Sequence, residues 1–175
     1  MLRQNIMKKM INLAKKTLEK GKLVIFPTET VYGLGGDATN KEAIKKIYEL
    51  KKRPLNNPLI CHFSKIQAVK KNCELNDLDK KLIKFFWPGP LTLILKKKKT
   101  SIINPLLSNN KNFIGCRIPK NRIANKLLQS VNFPVAAPSA NIATKISSTH
   151  YSHLPKNFYK EALVLKGGKS KIGLE

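Results

Sequence analysis

Arginine is scarce in this sequence. Of 34 basic residues only Arg3, Arg53, Arg117 and Arg122 are arginine. Acidic residues are also few, 10 in all, so the formal net charge is +24. Cysteine is limited to Cys61, Cys73 and Cys116, an odd number with no CxxC pair. That argues against a disulfide framework or a zinc site and fits a reducing, cytoplasmic setting. There is no run of about 18 apolar residues, so no membrane span is expected. The amphipathic start, MLRQNIMKKMINLAKK, lacks the continuous apolar stretch of a signal peptide and reads as the first helix of the fold. Neither an internal repeat nor a linker is visible, and 175 residues suit one domain with a substantial core.

The charge has two readings. A strongly basic chain suits nucleic acid. Thirty lysines in a chain rich in Asn and Ile also suit A+T-rich coding, with lysine faces that need no partner. The sequence carries no RNP aromatics and no helix-turn-helix signature. The same bias makes the arginines informative, because only Arg offers a planar fork that binds carboxylate or phosphate through two parallel hydrogen bonds. Arg117 ends an apolar strand, where an unpaired charge is costly, so it should meet an anion.

Periodicity gives a first helix over residues 5–20 with a stripe of Ile6, Met10, Leu13, Ala14 and Leu18, stopped at Gly21. A buried strand, Lys22–Phe26, should end at Pro27. Thr28-Glu29-Thr30 then reads as a turn and Gly33-Leu34-Gly35-Gly36 as a second, glycine-rich turn that lets a ligand approach backbone. It matches neither a P-loop nor a dinucleotide fingerprint. A capping box from Thr39 to Glu42 opens a helix that buries Ala43, Ile44, Ile47, Tyr48 and Leu50 and ends in Lys51-Lys52-Arg53. Further strands are expected at 59–63, 91–95, 113–118, 134–137 and 162–165. Further helices are expected from a Ser64 cap through Lys71, from Asn76 or Asp77 with Leu78, Leu82, Phe85 and Phe86 inward, and over 121–131. His150 and His153 lack a third ligand nearby, so no protein-bound metal site is expected. Strands and helices mix without strict alternation, which points to an α/β domain with a curved, mixed sheet.

Six stretches carry a resemblance: FPTETVYGLGGDA at 26–38, KKRPLNNPLICH at 51–62, FFWPGPLTLIL at 85–95, CRIP at 116–119, AAPSAN at 136–141 and VLKGG at 164–168. In this order they resemble the YrdC-like family, the threonylcarbamoyl-AMP synthases. The resemblance implies a single YrdC-like domain over 1–175, a twisted mixed, mostly antiparallel sheet flanked by helices, and a large positive concave cleft. It implies synthesis of threonylcarbamoyl-AMP and pyrophosphate from L-threonine, bicarbonate and ATP, with Mg²⁺ carried on the ATP. A partner transferase would then modify tRNAs reading ANN codons.

By the same matching, Lys51 and Arg53 pair as the cationic, catalytic clamp. Asn57, Ser139, Asn141 and Ser147 join them at the nucleotide. Thr30, Tyr32, His62, Arg117 and the backbone at Ala137 form the threonine pocket. Two departures stand out. Phe113 occupies a position where the family has a small hydroxyl residue, and the family continues past Gly173-Leu174-Glu175 into a Ser-Thr-Val segment, so the domain reads as truncated at its C-terminal end. Two alternatives to the synthase stay open: an RNA- or tRNA-binding module, and an inactive relative.

Overall fold

Strand β1 (Leu23–Pro27) sends Leu23 and Ile25 to one side and Val24 and Phe26 to the other, and all four are buried. A strand covered on both faces must sit inside a layered sheet. The computed structural model, which describes residues 2–174, shows that sheet. Its other strands are β2 (Tyr32–Asp37), β3 (Ile60–His62), β4 (Leu93–Lys96), β5 (Phe113–Arg117), β6 (Val135–Ala136) and β7 (Ala162–Val164). Among the described residues the spatial order is β4-β5-β3-β6-β2-β1-β7. The pairs β3/β5 and β1/β7 are parallel and the other four are antiparallel, a mixed sheet as expected.

Helices cover both faces. On one side α1 (Leu2–Glu19) and α5 (Arg122–Ser130) pack on Val24, Phe26, Val135 and Ala137. On the other, α2 (Lys41–Lys51) and the helices α3 (Ile66–Asn72), α4 (Asp77–Phe86) and α6 (Phe158–Glu161) enclose a larger core. That core holds Ile25, Leu34, Ile44, Ile47, Cys61, Ile83 and Phe158.

Several local expectations are corrected. The 33–36 stretch is strand β2, antiparallel to β1 with Pro27 opposite Tyr32, and not a turn. Its glycines serve packing: a Cβ on Gly35 would lie 2.7 Å from the Phe26 ring and 3.1 Å from the Val24 carbonyl. Pro27 therefore closes the strand from within it. Asn40, not Thr39, caps α2, accepting from the N–H groups of Glu42 and Ala43, while Thr39 donates its hydroxyl to Asp37 Oδ1 at 2.8 Å. The cap of α3 is Lys65, without a side-chain bond, rather than Ser64.

The buried stripe of α1 runs through Ile11, Ala14 and Leu18, with Ile6 and Leu13 exposed. Helix α4 opens with an Asn76–Asp79 capping box. It inserts Ile83, not Leu78, Phe85 and Phe86, which are 63%, 77% and 52% exposed. No helix among the described residues is long and apolar enough to cross a membrane.

Candidate functional site: a buried cation and an orphaned histidine

The parallel register of β3 and β5 sets His62 beside Arg117. Both side chains are buried, at 1% and 3% exposure. Arg117 donates from Nε to the Gly89 carbonyl at 3.2 Å, from Nη1 to Thr30 Oγ1 at 3.1 Å and from Nη2 to Glu29 Oε1 at 2.8 Å. A guanidinium has five N–H donors, so two of them are not used in these three bonds. The expected anion for Arg117 is thus already present within the fold, as Glu29. Glu29 carries no assigned role by sequence alone; a carboxylate in the turn beside a buried strand, in a chain so poor in acids, is the signal that points to it.

Thr30 is oriented by its neighbour. Thr28 gives its only hydroxyl proton to the Val31 carbonyl at 2.7 Å. Thr30 Oγ1, 2.9 Å from Thr28 Oγ1, therefore donates to Thr28 and accepts from Arg117. Thr28 Oγ1 also accepts from the Thr30 and Val31 N–H groups, the hydroxyl turn that shapes the loop between β1 and β2.

His62 is a different case. Neither ring nitrogen has a hydrogen-bond partner among the described residues, though both are buried. Its ring meets Phe26 edge-on, with centroids 6.1 Å apart. Burial, reinforced by the Arg117 charge, lowers its pKa to about 3, so the ring is neutral at physiological pH, with one donor and one acceptor. A buried polar group without a partner is costly, which marks His62 as a candidate contact for a ligand.

Tyr32 is buried on β2. Its hydroxyl donates to the Gly168 carbonyl at 2.7 Å and accepts from Gly167 N–H at 3.1 Å, and desolvation raises its pKa. Residues 170–173 lace onto the same turn: Ser170 Oγ donates to the Thr28 carbonyl, Ile172 N–H to that of Glu29 and Gly173 N–H to that of Thr30. Ala137 is buried one residue past β6, its N–H donating to the Ile60 carbonyl.

The second group of residues gathers around the end of β2. Ser139 bridges Gly33, and Ala140 N–H donates to the Tyr32 carbonyl. Lys51, the last residue of α2, is 1% exposed. Its Nζ donates to the Ser139 carbonyl at 2.5 Å, to the Asn141 carbonyl at 2.7 Å and to Asn141 Oδ1 at 3.3 Å. A buried ammonium held by three oxygens braces the 139–141 turn. Arg53 is partly exposed; it donates to the Asn57 carbonyl, to Asn57 Oδ1 at 2.7 Å and to the Pro58 carbonyl. Ser147 lies half-buried beside the buried Ser148, whose carbonyl accepts from Tyr32 N–H.

Thr30, His62 and Arg117 are thus one cluster, and Lys51, Ser139 and Asn141 another. Tyr32 joins them through the backbone. Arg53 and Asn57 pair with each other on the turn after α2. Phe113 begins β5 with its ring 54% exposed. Among the described residues no group of three or more His, Cys, Asp or Glu could hold a metal ion. A groove of about 810 Å³ between α1, α2 and α6 mixes Lys22, Lys46 and Lys160 with Glu49 and Glu161, and contains none of these residues.

A buried polar cluster within a mixed sheet, with a fixed guanidinium and a neutral histidine, is a candidate small-molecule site in an α/β domain. The sequence model of the Sua5/YciO/YrdC family, described as telomere recombination, matches residues 16–175. The chain belongs to this family. It is 40% identical over 178 residues to a threonylcarbamoyl-AMP synthase of Pyrococcus abyssi, covering 99% of this chain and 51% of that protein. It is also 40% identical to one of Bacillus subtilis, covering 93% of this chain and 47% of that protein. A crystal structure of P. abyssi Sua5 complexed with L-threonine superposes with a TM-score of 0.88 at 40% identity, over 93% of this chain and 48% of that one. The chain spans about half the length of these relatives.

Proposed function

We propose that this chain makes threonylcarbamoyl-AMP and pyrophosphate from L-threonine, bicarbonate and ATP, acting as a nucleotidyltransferase for threonylcarbamoyladenosine modification of tRNA. The observation that carries this reading is the orphaned His62 beside Arg117. A zwitterionic hydroxy amino acid supplies what that pocket lacks. Its carboxylate fits the two remaining guanidinium N–H groups, and its hydroxyl and amine supply partners for the neutral imidazole and the acceptor lone pair of Thr30.

The chemistry needs the threonine amine carboxylated and the resulting carbamate oxygen delivered to the α-phosphorus of ATP, with pyrophosphate leaving. Positioning and charge neutralisation suffice for such a step, without a side-chain nucleophile. Arg53 and Lys51 are the cations for the triphosphate, Arg53 from the partly exposed turn and Lys51 by bracing the 139–141 backbone. Asn57, Ser139, Asn141 and Ser147 complete the nucleotide side, and Mg²⁺ arrives with the ATP as part of that substrate. The product would pass to a partner transferase.

The RNA reading rests on net charge. Exposed lysines stand on every helix, for instance Lys8, Lys46, Lys70, Lys80, Lys126 and Lys160, and that even spread supports a compositional origin.

The test is product formation from ¹⁴C-bicarbonate. Label recovered in an adenylate that also contains threonine is the expected result. No labelled adenylate from a folded chain would contradict the proposal.

A further inference from the structure

We propose that Glu29 is the positioning residue of the amino-acid pocket, an inference that rests on the threonine reading above. Its side chain is 13% exposed. It joins three parts of the fold. Oε1 accepts from Arg117 Nη2 at 2.8 Å, at the end of β5. Oε2 accepts from the Lys120 N–H at 3.0 Å, at the entrance to α5. The Glu29 carbonyl accepts from Ile172 N–H at 3.0 Å, on the segment after β7.

An Arg side chain ends in a plane that can turn about several bonds, and a bidentate contact needs that plane fixed. Gly89 and Thr30 hold two corners through neutral acceptors. Glu29 supplies the charged third corner, and it also balances the Arg117 charge where both side chains are largely buried. With the plane fixed, the two remaining N–H groups keep one orientation, and the substrate carboxylate need not reorganise the site on arrival. Glu29 touches Arg117, so it acts on substrate through that residue.

The test compares the parent chain with Glu29→Gln and Glu29→Asp. L-threonine, threonine amide and ATP are each titrated by calorimetry, and folding is checked by circular dichroism. Glu29→Gln keeps the length and loses the charge. It leaves either Arg117 or Lys120 N–H facing an amide nitrogen. Loss of one charge-assisted hydrogen bond corresponds to about 10-fold or more, so threonine affinity should fall by about that factor. ATP affinity should change by less than about twofold. The parent's preference for threonine over threonine amide should shrink, because that preference reads the Arg117 contact. Glu29→Asp, with the charge retained, should recover part of both.

Unchanged threonine affinity and unchanged amide discrimination in a folded Glu29→Gln chain would overturn the inference. So would equal losses for ATP and threonine, the signature of a general structural role. Should Glu29→Gln not fold, Glu29→Asp carries the same comparison, with a smaller loss confined to threonine. A parent chain that binds ATP and not threonine would instead overturn the amino-acid reading, and the inference with it.

Discussion

Replacing His62 by phenylalanine removes two buried nitrogens without a hydrogen-bond partner among the described residues. Each such group costs about 1–3 kcal/mol relative to an apolar replacement. The larger ring must fit against Phe26, and overpacking returns about 1 kcal/mol or more of that gain. The two nitrogens together are worth about 2–6 kcal/mol, so the expected net is a stabilisation of about 1–5 kcal/mol, or about 2–20 °C in Tm for a domain of this size. On the proposed reading, threonine binding should weaken at the same time, because both imidazole contacts are lost. Stability and binding are read by urea unfolding and by threonine titration on the same samples.

The pH dependence offers an independent check. Native His62 stays neutral down to about pH 3, whereas in the unfolded chain it takes up a proton near the ordinary value of about 6.5. Between those limits the unfolded state binds more protons, so this contribution is fully present above about pH 6.5 and is lost as pH falls toward about 3. The full excursion amounts to at most about 5 kcal/mol. His62→Phe should remove this part of the acid sensitivity. A variant that is less stable than the parent, keeps its acid slope and binds threonine equally well would refute the reasoning.

Lys51→Met leaves the Ser139 and Asn141 carbonyls without their ammonium donor. It should cost about 1–3 kcal/mol in urea unfolding and weaken ATP binding more than threonine binding in parallel titrations. Gly35→Ala places a methyl group 2.7 Å from the Phe26 ring and 3.1 Å from backbone, for an expected loss of about 1–3 kcal/mol measured by thermal unfolding. Asn40→Ala should cost about 1 kcal/mol, as loss of an N-cap does, and more than Thr39→Ala, whose hydroxyl serves Asp37 outside the helix; paired urea curves decide the order.

Much of the architecture was legible because it rests on local signals. The apolar run Leu23–Phe26, the buried set Ala43, Ile44, Ile47 and Tyr48, and the Asn76 cap all recur in the structure. What failed had more than one local solution. In α1 two apolar stripes share Ala14 and Leu18, and packing against α5 and the sheet takes the one through Ile11. In α4 the apolar surface is wider than the contact available, so Ile83 is taken and Phe85 left outside. Glycines at 33, 35 and 36 fit a turn by composition, and the crowding that requires those at 35 and 36 comes from Phe26, Val135, Leu23 and Ile47, on other elements of the fold.

The site divides in the same way. Arg117 and Thr30 stood out by residue type and motif, and the structure joins them. Glu29 was hidden because its partners, Arg117 and Lys120, lie about ninety residues away. The orphaned state of His62 is a property of three-dimensional packing alone.

The central claim is that the Thr30, His62 and Arg117 cluster presents threonine to ATP. Pyrophosphate release by the purified chain, measured with and without L-threonine and bicarbonate, tests it most directly. The account predicts release that requires both. Release indifferent to threonine, or none from a folded chain that binds ATP, would contradict it.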